Sequence, residues 1–175
     1  MPSLKTTIKE TRKIKDMKKR ILDFESHEVA VGFPAGKSGG IKYPNGTDLI
    51  DVAFWNNYGT DLIPERRFMD VAKTAIEEKV EKKIFPKLYG EYLDGKIDLM
   101  TLLERLGVAA EAETKKVIRD FSSPPNSPTT INGGWVRHKT GKAFYVEGKK
   151  TNNPLVDTGL LMKSVTSEVR KKKGN

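Results

Sequence analysis

The sequence predicts an α+β fold: a small, mostly antiparallel sheet packed against several helices, with long mobile loops between them. Three observations predict it. Glu28 to Phe33 and Val165 to Arg170 alternate apolar and polar residues and are rich in β-branched side chains, as half-buried strands are. The segments 66–85 and 99–121 instead place apolar residues three and four apart, the spacing of amphipathic helices. Gly-rich 35–46 and Pro-rich 122–128 fit neither period. With 175 residues, 37% of them hydrophobic, the chain is of a size for one domain, 1–175.

In order, Leu4, Ile8, Ile14, Met17, Ile21 and Phe24 with lysines between them predict a basic amphipathic helix over 1–26. Glu28 to Phe33 follows as the first core strand, ended by Pro34. Ala35 to Gly46 reads as a flexible loop. Thr47 or Asp48 caps a helix through Leu49, Val52 and Ala53, whose apolar side is expected on the sheet. Gly59 ends that helix, because glycine takes the backbone conformation of a helix stop at least cost. Pro64, with no donor and a fixed φ, and Glu65 beside it suit the first turn of the next helix. Arg66 and Arg67 then stand at a corner between the two helices, open to two readings: a solvated turn or a protein interface.

Beyond the corner, Phe68, Val71, Ala72, Ala75, Ile76 and Val80 predict a long helix that Pro86 ends or kinks. Asp98 caps a further helix, Leu99 to Phe121, expected to bury Leu102, Leu103, Leu106, Val108, Ala109, Ala112, Val117 and Ile118 and to pack antiparallel to its predecessor. Ser122 to Pro128 is expected to be an exposed arm or a wrapped loop without regular structure. Trp135 to Arg137 and Ala143 to Val146 predict a hairpin, Asp157 to Ser164 a short helix, and Val165 to Arg170 a closing strand. Trp55, Tyr58 and Phe68 sit at spacings that usually mean core.

Two ordered blocks carry a family resemblance. The first is Asn56-Asn57-Tyr58-Gly59-Thr60 followed by Ile63-Pro64-Glu65-Arg66-Arg67-Phe68. The second is Asn126-Ser127-Pro128-Thr129-Thr130-Ile131, then Pro154-Leu155-Val156-Asp157-Thr158-Gly159-Leu160-Leu161 and Ser164-Val165. In sequence and order they resemble the minor virion proteins of tailed bacteriophages known as tail-completion, neck or head-tail joining proteins. The blocks cover about a third of the chain. The segment 132–153 is longer than the family pattern expects and reads as an inserted hairpin or loop.

The resemblance implies a structural subunit and not an enzyme. It implies a homo-oligomer, a hexameric ring at the head-tail junction, partnered by tail-tube or tail-terminator and by head-closure or connector proteins. It also implies residence in the virion after assembly in the host cytoplasm. The candidate interface residues are Tyr58, Arg66, Arg67, Phe68, Pro128, Trp135, Leu155 and Asp157.

Composition narrows the chemistry. No cysteine is present, which excludes disulfides and thiolate catalysis, and two histidines make a zinc site a poor expectation. No cofactor is expected, and no apolar run approaches the roughly 20 residues of a membrane span. The apolar core of a signal peptide is not seen at the N-terminus, and the expectation is a cytoplasmic protein. Ser164, His138 and Asp157 form a Ser-His-Asp set on paper, but no Gly-x-Ser-x-Gly elbow accompanies them, and surface and capping roles suffice. Gly36, Gly39 and Gly40 with Lys37 and Ser38 lack phosphate-loop spacing.

The net charge of +9 gathers partly at the chain ends. Lys13, Lys18, Lys19 and Arg20, with Arg170, Lys171, Lys172 and Lys173, are therefore candidate contacts to genomic DNA or an acidic partner. They support the alternative reading, a basic nucleic-acid-binding protein.

Overall fold

A computed structural model describes residues 12–137, 140–150 and 152–172. Its elements run α1 (Arg12–Glu25), β1 (His27–Gly32), α2 (Ala35–Ser38), α3 (Leu49–Tyr58), α4 (Phe68–Ile76), a π-helical stretch (Glu77–Ile84), α5 (Phe85–Leu93) and α6 (Leu99–Asp120). Then follow α7 (Pro128–Asn132), β2 (Gly134–Arg137), β3 (Ala143–Val146), α8 (Leu160–Lys163) and β4 (Thr166–Lys171). The class is α+β, with the strands in two separate antiparallel ribbons, β1–β4 and β2–β3.

The axis of the fold is α6. It starts where Asp98 accepts a 2.7 Å hydrogen bond from the Thr101 amide, the cap the sequence predicts. Its buried face is Leu102, Leu103, Gly107, Ala110, Thr114 and Ile118. Val108 and Ala112, expected inside, are instead exposed, because the buried stripe passes through Gly107, Ala110 and Thr114. Small residues there let the β1–β4 ribbon lie close: a Cβ on Gly107 would come within 2.6 Å of Ser167 Oγ and 3.0 Å of its Cβ. The same ribbon is pinned by Glu111, whose Oε1 accepts from the Ser167 amide at 2.7 Å and its hydroxyl at 2.8 Å. Burial alone would raise the Glu111 carboxyl. The Ser167 hydroxyl and amide and the Lys115 ammonium outweigh it and hold the group below its ordinary value.

Across α6 lies one continuous helical run, Phe68 to Leu93. The two are antiparallel, as ion pairs Lys79–Glu113 and Glu91–Arg105 require. Pro86 neither ends the run nor breaks it. The Phe85 amide donates to the Val80 carbonyl, five residues back, so the turn before Pro86 is widened where its ring would meet the Lys82 carbonyl.

One core cluster gathers Leu49, Ala53, Phe68, Ile118, Leu155, Leu161 and Val165. The other gathers Leu88, Tyr92 and Leu102, with Phe24 of α1 packed against it. Because α6 contributes Leu102 to one and Ile118 to the other, both depend on it.

Several expectations need correction. The predicted first helix is seen from Arg12; Leu4 and Ile8 lie outside the described residues. The segment 35–46 holds a helical turn and a Lys42–Asp48 bridge, and its Ser38 is buried, donating from Oγ to the Ser164 carbonyl. Asp48 precedes α3 without a side-chain capping bond. Helix α3 packs mainly on α4 and α8, while Val31 of β1 reaches the same cluster. Pro128, placed in the irregular loop by sequence, opens α7, where Ser127 Oγ accepts from the Thr130 amide as the cap.

Two measurements test this arrangement. Gly107→Ala is expected to lower stability by on the order of 1–3 kcal/mol in urea unfolding, because Ser167 must move off α6; an unchanged midpoint contradicts the close approach. The lowered folded-state pKa of Glu111 means its contribution is complete above the ordinary value of 4.5 and is lost as pH falls through the folded-state value. Glu111→Gln is therefore expected to flatten the acid limb of the stability curve and leave its neutral shape alone.

Candidate functional site

The corner between α3 and α4 is built from backbone upward. The Arg66 amide donates to the Asn56 carbonyl and the Arg67 amide to the Asn57 carbonyl, each at 3.0 Å. Asn57 Oδ1 accepts from the Met69 amide at 3.0 Å, so a residue of α3 caps the first turn of α4. To reach that position Arg67 takes a left-handed backbone, φ 40°, at a cost of about 1 kcal/mol. This corrects the start of the helix: it begins at Phe68, after Arg67, and Pro64 belongs to the connector.

The connector is equally fixed. Thr60 Oγ1 accepts from the Leu62 and Ile63 amides, and the Thr60 amide donates to the Ile63 carbonyl at 2.8 Å. Gly59, φ 76°, is obligatory, since a Cβ there would stand 2.9 Å from the Glu65 nitrogen.

Arg66 and Arg67 part company here. Arg66 is only 7% exposed. Its guanidinium donates to Asn56 Oδ1 at 2.7 Å, Asn126 Oδ1 at 3.3 Å and the Pro124 carbonyl at 3.4 Å, clamping the Pro-rich loop to α3. The loop is thus wrapped. Burial pulls the Arg66 pKa down from its ordinary value. Arg67 lies on the surface, its Nε 2.6 Å from Glu65 and 3.6 Å from Asp70.

The remaining candidate residues divide in the same way. Phe68 and Leu155 are core, so neither reaches a partner. Tyr58, Trp135, Pro128 and Asp157 are on the surface, Trp135 at 74% exposure. Trp55 is also partly exposed, against the expectation of core for it and for Tyr58. The reason is the direction of α3: Leu49, Ala53 and Asn57 face inward, while Ile50, Phe54, Trp55 and Tyr58 on its other side are exposed. Lys13, Lys18 and Lys19 are exposed on α1, but Arg20 turns inward, donating to the Tyr92 carbonyl at 3.1 Å and lying over its ring. Arg170 is paired with Glu28 at 2.6 Å, while Lys171 and Lys172 are exposed. His138 and Lys173 lie outside the described residues.

The outward side of α3 is the feature sequence reasoning missed. Ile50, Phe54 and Tyr58, four residues apart, form an exposed stripe, extended by Leu62 at 73% exposure on the rigid connector. Phe54 and Tyr58 are in ring contact, centroids 4.8 Å apart. The signal was present: LIDVAFWNNY is apolar around nearly its whole circumference, a pattern that belongs to a helix covered on all sides. The β2–β3 ribbon bears a second exposed apolar group, where Trp135 pairs with Tyr145 across the strands, ring centroids 5.8 Å apart.

A third feature is a groove of about 500 Å³ between β1 and the long helix, lined by Val29, Val31, Met69, Ile76, Val80 and Leu106 among others. The Lys172 amide bonds the Ser26 carbonyl, so alternation along the ladder turns the backbone groups of His27, Val29 and Val31 away from β4, toward this groove. Its lining is predominantly apolar, and His27 Nδ1 is engaged by Ser26 Oγ and the Asp23 carbonyl. Among the described residues, no group of three or more His, Cys, Asp or Glu side chains is placed to hold a metal ion, and no helix is long and apolar enough to cross a membrane.

Comparison with protein families, curated proteins and solved structures finds no match to this chain.

The adjacent arginines give the sharpest test of the corner. Arg66→Ala is expected to destabilise by on the order of 2–3 kcal/mol in chemical unfolding, since it leaves the buried Asn126 oxygen and the half-buried Asn56 oxygen without their donor. Arg67→Ala is expected to change stability by no more than about 0.5 kcal/mol, its ion pairs being exposed. Equal effects would contradict the assignment of Arg66 as the internal clamp.

Proposed function

We propose that this chain is a structural virion subunit of a tailed bacteriophage, forming a ring at the head-tail junction that completes the tail and joins it to the head. The observation that carries the reading is the exposed apolar stripe of α3 on a rigid corner. A surface of Ile50, Phe54, Tyr58 and Leu62 is costly to leave in water and is the kind that protein partners cover. The stripe runs into the first of the two sequence blocks that resemble the tail-completion and neck proteins: Tyr58 belongs to that block, and Ile50 and Phe54 stand on the helix that leads to it. Function in this reading is assembly: contacts to copies of itself and to tail-tube and head-closure proteins, without turnover.

A second reading, nucleic-acid binding, is favoured by one observation, the row of exposed lysines 13, 15, 18 and 19 on α1. The two readings separate by salt. An assembly held by apolar burial persists as salt rises, whereas binding through phosphates weakens steeply.

The test is the native mass of the full chain, alone and mixed with tail-tube or head-closure proteins encoded by the same genome. A discrete ring that survives added salt is expected. A monomer with every such partner, combined with salt-sensitive binding to duplex DNA that Lys13→Ala, Lys18→Ala and Lys19→Ala together abolish, would replace the structural reading with the second.

A further inference from the structure

Resting on the ring reading, we infer that the contact between neighbouring copies is head-to-tail: the β2–β3 ribbon of one subunit docks on the exposed α3 stripe of the next. Shape and charge select this occupant. Register places Trp135 and Arg137 of β2 on one face of the ribbon with Ala143 and Tyr145 of β3. Trp, Tyr and Arg are the side chains most enriched among residues that dominate binding. The ribbon is anchored at its base, where the Lys149 and Lys150 amides donate to the Thr130 and Ile131 carbonyls at 2.9 Å each, and its aromatic face is left open.

The charges around the two surfaces are opposite. In a chain of net charge +9, residues 48–65 hold four carboxylates, Asp48, Asp51, Asp61 and Glu65, and no lysine or arginine; Asp48 and Glu65 already face Lys42 and Arg67, so the pairing falls to Asp51, in the first turn of α3 beside Ile50. The described residues of 134–150 hold three exposed basic side chains, Arg137, Lys142 and Lys150, against the single carboxylate of Glu147, while Lys149 is half-buried near Asp157 and Arg66. Docked together, an aromatic face bordered by Arg137 and Lys142 meets an aromatic stripe bordered by Asp51, which favours this pairing and disfavours the basic ribbon meeting its own kind. Among the described residues β2 packs mainly on β3 and α7, and α3 on α4 and α8, and the aromatic side chains of both surfaces stay exposed. Two different surfaces that pair between copies make a heterologous contact, the type that closes into rings.

The experiment uses the full chain under the conditions in which the wild type assembles. Phe54→Glu and Trp135→Glu, both at exposed positions, are each expected to abolish assembly while leaving the unfolding midpoint unchanged. Mixed together they are expected to give a one-to-one dimer and nothing larger. Each variant keeps the surface the other lacks, so one intact contact forms and then stops. Arg137→Glu is expected to weaken assembly by on the order of tenfold or more, with Asp51→Arg in the same chain restoring most of it. If either glutamate variant shifts the midpoint, Tyr145→Ser and Tyr58→Ser serve in its place with the same expected pattern. Both variants still assembling would overturn the head-to-tail contact and leave the ring reading standing. Two monomeric variants that fail to dimerise on mixing would overturn it equally. A wild type that stays monomeric with every tail and head partner would remove both.

Discussion

The Arg66 guanidinium is the point at which the sequence-distant parts of the corner are held together. It joins Asn56 on α3 to Asn126 and Pro124 in the loop after α6, so two segments far apart in the chain are tied through one side chain. Arginine suits the task because its planar fork donates in several fixed directions and keeps its charge even when burial disfavours it. Asn57 continues the same device by capping α4, and the left-handed Arg67 is the local strain that the arrangement tolerates. Without this polar joint the connector has few apolar contacts of its own: Leu62 points outward, and only the neighbouring Phe68 enters the core.

The second constraint is the closeness of α6 to everything around it. A glycine against Ser167 and a carboxylate that bonds both the amide and the hydroxyl of Ser167 fix the β1–β4 ribbon from opposite chemical directions, one by removing atoms and one by supplying an acceptor. The long helix opposite is less closely matched to the ribbon, and the groove between them is the result. The widened turn before Pro86 belongs to the same helix and lets it continue to α5 and the second core cluster.

Much of this was legible in the residues. Periodicity located α6 and the long helix, alternation located β1, β4 and the ribbon of β2 and β3, and Gly59 marked the helix stop. Pattern alone did not separate Arg66 from Arg67, because which of two adjacent arginines turns inward depends on where Asn126 arrives from sixty residues away. Pro64 misled for a related reason. Its φ suits a helix start, but the Asn57 side chain offers a cap four residues later, and tertiary hydrogen bonding decided the boundary. Phe54 and Ile50 were hidden by the opposite problem: an apolar helix reads as buried, and only the packing of α3 on α4 and α8 shows which side stays exposed.

That last point bears on why a fold would hold apolar groups in water. A mobile loop carrying Leu62 would pay its ordering cost at the moment of binding, and affinity would suffer accordingly. Here the ordering is done within the single chain: Thr60 fixes the connector, Gly59 permits its tight return, and Asn56, Asn57 and Arg66 set the angle between α3 and α4. The aromatic residues on both exposed surfaces also have few rotamers to lose. Rigidity and exposure at one place are hard to reconcile with a solvent-facing role, because a surface that meets only water gains nothing from being held in shape. They are the combination a subunit needs when its partner arrives preformed, and they weigh for assembly over the lysines of α1, which require no such scaffold to attract phosphate.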